Sequence, residues 1–303
     1  MQHERTSIKI SQLVKLYGIK KTTYYRWKDR DGSQRTILRS NKRAILVDEV
    51  EEMIRFRQFH PNVGYRKFTW MLNDAGVVFL AESAVYKVLS EHNLPGPWHR
   101  DKNDMTSKEY QNKPKHVHHH WHTDICYIKI RGVFYFLIMV LDGYSRFLLG
   151  WRLMTDMTTA SVQDFIQEVK DRYPHAKPML ISDNGSQFIS KDFKILITQL
   201  DIQQVRTRRN HPETNVKAER WNASVKNEAI RPNAPTSYQE ALDILNDYSY
   251  VYNYQRLHAG IKYLRPADLF FGRADDIINK RKQNIADARK FRIMVNSLQE
   301  NTP

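Results

Sequence analysis

Cysteine is nearly missing: Cys126 is the only one in 303 residues. An intrachain disulfide is therefore impossible, and so is a zinc site built on several thiolates. No stretch of about 20 apolar residues occurs, which excludes a membrane-spanning helix. The opening MQHERTSIKI lacks the apolar core of a secretory signal, so the cytoplasm is the expected compartment. Acidic residues are scarce as well, 33 against 48 Lys and Arg, which leaves a formal charge of +15. That imbalance points to a polyanionic partner, because clustered Lys and Arg displace counterions from phosphates. A solvated basic surface would have the same composition, so charge alone does not decide.

The length has room for two or three domains, and an apolar fraction of 41% supplies their cores. The basic excess is concentrated at the start. Residues 1–46 hold twelve Lys and Arg against three acids, a net of +9. Ser11 can cap a short helix through Tyr17, with Leu13, Val14 and Leu16 apolar. Gly18 makes a turn, Ile19 packs inward, and Lys20 to Arg30 reads as a second, basic helix. This is the outline of a helix-turn-helix, whose second helix enters the DNA major groove. Thr22, Thr23, Tyr25, Arg26 and Lys28 are its candidate DNA contacts, with Tyr24 and Trp27 as the buried face. Short helix pairs of this kind also occur in proteins that never meet DNA.

Residues 47–94 repeat the idea. Val47 to Phe59 carries Val50, Met53, Ile54 and Phe59 at helical spacing, and His60-Pro61-Asn62 breaks it. Tyr65 to Ala75 is a second helix ended by Gly76. Ser83 can cap a third, with Val85, Val88 and Leu89 inward and Tyr86 and Lys87 outward as further DNA-contact candidates. A plain helical spacer is the alternative. Residues 95–115, polar, charged and without periodicity, read as a linker.

From Trp121 the pattern turns to strands: Ile125–Ile130, Val133–Leu141 and Leu148–Leu153. A helix from Thr158 to Tyr173 follows, then a strand Met179–Ser182, a helix from about Ser190 to Leu200, a strand Ile202–Val205 and a helix from Asn215 to about Ile230. Three hairpin-connected strands followed by helix, strand, helix, strand, helix is the order of a ribonuclease-H-like fold. The expected class is α/β, a mixed-sheet core at 116–272, preceded by all-α DNA-binding units and followed by a basic helical tail at 273–303. From Tyr238 the chain reads as helical, with Tyr238, Leu242, Leu245 and Tyr248 inward.

Three carboxylates stand where two-metal phosphoryl transfer would need them: Asp124 on the first strand, Asp183 after a buried strand, Glu219 on the following helix. Magnesium demands hard oxygen ligands that converge from separate elements. Taken singly, each has an ordinary explanation as a strand-edge charge, an Asx-turn residue and a solvated helix acid. The surrounding segments carry the argument further. Trp121-His122-Thr123-Asp124, Leu141-Asp142-Gly143-Tyr144-Ser145-Arg146, Ser182-Asp183-Asn184-Gly185-Ser186-Gln187-Phe188 and His211 through Arg220 resemble the integrase catalytic core. That core is shared by insertion-sequence transposases of the DDE superfamily and by retroviral integrases. Tyr254-Gln255-Arg256-Leu257-His258 and Leu264-Arg265-Pro266-Ala267-Asp268 are similar to the end of bacterial transposase cores. One departure is Val216, where the family usually has glycine; its Cβ is expected to stiffen the loop before Glu219.

The resemblance implies a DNA transposase with Asp124, Asp183 and Glu219 as catalytic metal ligands. They would hold two Mg2+ ions, with Mn2+ as a substitute. A metal-activated water frees a 3′-hydroxyl at the element's end, and that hydroxyl attacks target DNA with no covalent protein intermediate. The implied partners are double-stranded DNA, as terminal repeats and target, and further copies of the chain, at least a dimer. Arg206, Arg208 and Arg209 are candidate phosphate clamps. Lys226, seven residues beyond Glu219 on nearly the same helix face, resembles the family's DNA-binding lysine. Asn184 and Gln187 are candidates to orient substrate or bound water. His116, His118, His119, His120 and His122 lie too close in sequence for an ordinary zinc site and read as a solvated basic stretch. Two other readings stay open: a DNA-binding regulator with a dead core, and a ribonuclease-H-like nuclease or resolvase without strand transfer.

Overall fold

The structure is a computed structural model describing residues 11, 14–15, 20–28, 42–94, 96, 113–206 and 215–300. The chain divides into two compact units, Met1–Ala44 with Phe291–Pro303, and Ile45–Lys290. In the first, α1 (Lys21–Lys28) falls in the expected basic helix, whose last two residues, Asp29 and Arg30, lie outside the described residues. Thr22 and Tyr25 are exposed and Thr23 is half-buried; the side chains of Arg26, Trp27 and Lys28 lie outside the described residues.

The second unit opens with α2 (Val47–Phe59), α3 (Tyr65–Asp74) and α4 (Glu82–Glu91). Met53, Phe68, Leu72, Val85, Val88 and Leu89 close a small core of their own. Helix α4 starts one residue before Ser83, so Ser83 is not its cap. Tyr86 packs its ring 4.9 Å from Tyr65, and Lys87 reaches Glu91 at 3.7 Å across one helical turn.

A five-stranded sheet follows in the spatial order β3-β2-β1-β4-β5: β1 (His120–Ile130), β2 (Val133–Asp142), β3 (Leu148–Met154), β4 (Met179–Ser182) and β5 (Gln203–Arg206). Hairpins make β1, β2 and β3 antiparallel, while β4 and β5 run parallel to β1. Parallel pairing requires a crossover, which α5 (Thr159–Arg172) supplies between β3 and β4. The short α6 (Ser186–Ile189) and α7 (Lys191–Gln199) lead from β4 to β5. Serine and threonine start these helices: Thr158 Oγ accepts from Ser161 N at 3.3 Å, and Ser190 Oγ from Phe193 N at 3.2 Å.

Strand alternation then divides the core. Trp121, Ile138, Val140 and Leu180 pack with Val162, Phe165, Ile166 and Val169 of α5. Cys126, Ile128, Leu137 and Met139 face the other way, toward α8 (Val216–Val225) and α9 (Tyr238–Tyr254). Helix α8 continues through a π-helical stretch, Lys226–Ile230, and one last turn, Arg231–Asn233. This is the ribonuclease-H-like arrangement, with helices on both sheet faces.

After α10 (Pro266–Phe270), the long α11 (Ala274–Glu300) holds Arg281, only 4% exposed. Its guanidinium grips Asp74 of α3 in a fork, at 2.7 and 2.6 Å, and lies 4.9 Å from the Trp70 ring centre. The same group donates to the carbonyls of Lys262 and Tyr263, two consecutive non-glycine residues at φ 60 and 55.

Candidate active site

Sheet register brings the first two carboxylates level. His120 stands opposite Met179 and His122 opposite Ile181 on the parallel pair β1 and β4. Two residues beyond this last pair lie Asp124, within β1, and Asp183, just past the end of β4. Asp183 turns the chain at once, its Oδ1 accepting from Gly185 N at 2.9 Å. A Cβ on Gly185 would stand 2.7 Å from Gln187 Nε2 and 3.1 Å from Asp183 Oδ1, so the turn takes only glycine without rearranging. Gln187 is buried against this turn, and Asn184 is exposed beside it.

Glu219 arrives on α8, which two asparagines tie to β1. Asn215 Nδ2 donates to Thr123 O at 3.0 Å, and its Oδ1 lies 3.3 Å from His122 Nδ1. Because an amide oxygen only accepts, this contact calls for the His122 tautomer with its proton on Nδ1. Seven residues on, Asn222 Nδ2 donates to Asp124 Oδ2 at 2.8 Å. Glu219 falls between the two ties on the same helix. Val216 is the first helical residue, where negative φ is normal, so its Cβ costs nothing there.

The Asp124 carboxyl is pushed up to about 6, first by burial and then by the negative charges of Asp183 and Glu219. Hydrogen bonds from Ile125 N and Asn222 only partly offset this. All three acids thus share one negative field. Among the described residues no three His, Cys, Asp or Glu are gathered closely enough to hold one ion. The donor set nonetheless fits a hard divalent cation. It consists of carboxylate oxygens, one of which resists ionisation, beside a buried Asn222 Oδ1 with no partner among the described residues. Asp124, Tyr127, Glu219, Asn222, Lys226 and Arg231 line a single groove of about 440 Å³.

The raised Asp124 pKa sets a stability rule. A carboxyl whose folded pKa lies above its unfolded value favours folding fully below about pH 4, and that contribution is lost as pH rises through 6. In chelator-treated buffer at pH 8, Asp124→Asn should therefore melt above the wild type, by roughly 3 kcal/mol at most. The gap should close by pH 4. A variant melting at or below the wild type at pH 8 would refute the burial of an ionised Asp124.

The histidines correct the sequence reading. His120 and His122 are each 1% exposed on β1, and His118 lies between Tyr173 and Phe270, at 4.8 and 5.3 Å. Burial holds His122 well below its usual pKa and lowers His120 to about 4. Only His116 and His119, stacked at 4.9 Å, resemble the solvated stretch expected. The misreading came from placing the strand's start too late. Gly143 makes room for the buried pair, since its Cβ would stand 2.9 Å from His122 Nε2.

Asp142, 0% exposed, has a different task from the other acids. It accepts from His118 N, Ser145 N and Ser145 Oγ, each at 2.7 Å, and from Tyr144 N at 3.1 Å. It staples the β2–β3 turn. Asn215 and Asn222, which sequence reasoning passed over, lie next to Val216 and three residues after Glu219, where helical spacing could have flagged the second. Arg206 ends β5 opposite Ser182, exposed, one residue from Asp183 in the register. Arg208, Arg209 and the His211–Thr214 segment lie outside the described residues.

Two family models, both described as Integrase core domain, match residues 114–212 and 200–266. Among curated proteins, the transposase for insertion sequence element IS904 of Lactococcus lactis is 27% identical over 150 residues, 49% of this chain and 59% of that protein. The uncharacterized 31 kDa protein of insertion element IS600 from Shigella sonnei is 23% identical over 278 residues, 84% of this chain and 96% of its own. The catalytic core domain of HTLV-2 integrase, solved with magnesium, is 18% identical with a TM-score of 0.41, over 51% of this chain and 97% of that one. The two overlapping matches together span residues 114–266, the segment bearing Asp124, Asp183 and Glu219, and the chain belongs to the integrase-core family.

Proposed function

We propose that this chain cuts the ends of a mobile DNA element and joins the freed 3′-hydroxyl to target DNA. The observation that carries this is the convergence of three acids from separate elements: β1 and β4 run parallel up to Asp124 and Asp183, α8 is tied to β1 on both sides of Glu219, and the Asp124 carboxyl is raised first by burial and then by the other two. Two magnesium ions, or manganese in their place, held by Asp124, Asp183 and Glu219, would activate the attacking oxygen and stabilise the leaving one. The chain's own residues do the positioning. Asn215 and Asn222 fix Glu219 against β1. Lys226 in the same groove offers a cation to a backbone phosphate, a contact that positions DNA without reading its sequence. Arg206, Arg208 and Arg209 would extend that grip, with Asn184 and Gln187 beside Asp183 orienting substrate. Sequence is read elsewhere, by Thr22, Thr23, Tyr25, Arg26 and Lys28 on the first basic helix and by Tyr86 and Lys87 on α4. Direct attack by water and then by the 3′-hydroxyl needs no covalent protein–DNA intermediate, so no serine or tyrosine has to serve as nucleophile. Because two ends must be joined to one target, the working form is at least a dimer.

The test is direct. Purified chain is incubated with magnesium, labelled DNA carrying the element's terminal repeat, and unlabelled target. Nicked ends and joined products of higher mass are expected, and both should vanish in chelator. Nicking that never proceeds to joining would favour the nuclease or resolvase reading.

A further inference from the structure

Helix α8 changes its winding partway along. It is an α-helix to Val225, and the next five residues, Lys226–Ile230, form a π turn. The Arg231 amide closes that turn on the carbonyl of Lys226, five residues back. In an unbroken α-helix, side chains five residues apart point about 140° away from each other. Across a π turn, with its bond from i to i+5, they lie one above the other.

The extra residue is held firmly on its far side. Ala229 packs in the same core as Ala218, Trp221 and Val225. Glu228, in the middle of the turn, accepts from Arg256 Nε and Nη2 at 2.7 Å each, and Tyr248 Oη lies 3.4 Å from it. Such turns are frequent at functional sites. The side chain that this one re-aims is Arg231.

Its direction is into the groove of about 440 Å³ that holds Asp124. One wall of the groove is β1 from Asp124 to Tyr127, past the point where β4 stops pairing with it at His122. The other wall is α8 and its π turn, which present Glu219, Lys226, Asn227 and Arg231. Arg231 is exposed and donates to Asn227 Oδ1. Among the described residues no carboxylate pairs with Lys226 or Arg231. Two cations on consecutive turns of one helix face repel each other, and an anion lying along them removes that cost. With Asp124 and Glu219 taken up by metal, the anion that suits the wall is one whose charge repeats along its length.

We propose that Arg231 is a DNA contact set in place by the π turn. It holds a backbone phosphate of the strand in the groove, farther from the acids than the phosphate held by Lys226. This rests on the function proposed above and adds to it the path of the strand, along α8 away from Glu219.

The full chain is bound to DNA carrying the terminal repeat, in which single phosphates flanking the cut are made neutral, one methylphosphonate at a time. The wild type should lose affinity at an inner and an outer position. Arg231→Gln should become indifferent to the outer one and keep the loss at the inner one, and Lys226→Gln should do the reverse. On unmodified DNA each variant should flatten log K against log salt by about one unit, and Arg231→Lys, which keeps the charge, should restore the slope. Lys191→Gln/Lys194→Gln, exposed at the start of α7, should match the wild type throughout. A wild type that joins ends, beside an Arg231→Gln chain with unchanged slope and unchanged sensitivity to every phosphate, overturns the contact and leaves the function standing. Loss of both sensitivities together in Arg231→Gln marks a disturbed helix and likewise overturns the contact. A wild type that neither binds nor joins this DNA overturns the function, and the contact with it.

Discussion

Asp124→Asn, Asp183→Asn and Glu219→Gln each abolish cutting and joining in magnesium while DNA binding persists with its salt dependence intact. All three substitutions keep shape and remove a charge, so the sheet and α8 should fold as before. What is lost is the negative field seen at Asp124, without which a divalent cation has no reason to stay. The loss should exceed the roughly 10–100-fold that removal of an outer hydrogen-bond partner of a metal ligand costs. Asn222→Ala provides that yardstick, since Asn222 touches Asp124 at 2.8 Å without adding charge. Measured by strand joining on labelled ends, the carboxylate variants should lie well below Asn222→Ala. Near-normal joining by any one of the three removes that residue from the site.

Arg281→Ala should be the most destabilising single change outside the sheet. The guanidinium is 4% exposed and answers five demands at once: both Asp74 oxygens, two carbonyls and the Trp70 face. Removing one partner of a buried pair leaves the other charge uncompensated, at a cost of about 3–5 kcal/mol. Lys262 and Tyr263 would also be left in left-handed backbone without the donor that holds their carbonyls. Hydrogen exchange should then speed up in α3 and around 262–263 while the amides of β1 and β2 stay protected. Wild-type exchange in α3 would show that the clamp is dispensable.

The carboxylates were legible because each lies in a local string of distinctive residues, and strand and helix order followed from apolar periodicity. The ties between them were not legible. Asn215 meets Thr123 and Asn222 meets Asp124 across more than ninety residues, and an asparagine on a helix carries no mark of its distant partner. Arg281 looked like any basic residue of a polar tail for the same reason. Histidines 120 and 122 misled because five in a short span read as one polar stretch. The strand's period of two, beginning at His120, puts both on one interior face.

The parallel pairing of β1 with β4 also governs when the protein becomes dangerous to DNA. Hairpins β1–β2 and β2–β3 close between neighbours in the chain, but β4 joins β1 only after the α5 crossover has been made. Such non-local pairings form slowly, because loop closure precedes any gain from contact. The third acid comes later still, on a helix fastened to β1 by Asn215 and Asn222. During synthesis, chains emerge from the N-terminus and domains fold in that order. A nascent or truncated chain would therefore present its N-terminal helices, the proposed readers of DNA, long before it could cut. On the proposed division of labour, fragments ending before Asn222 would occupy element ends as inert competitors of the full chain.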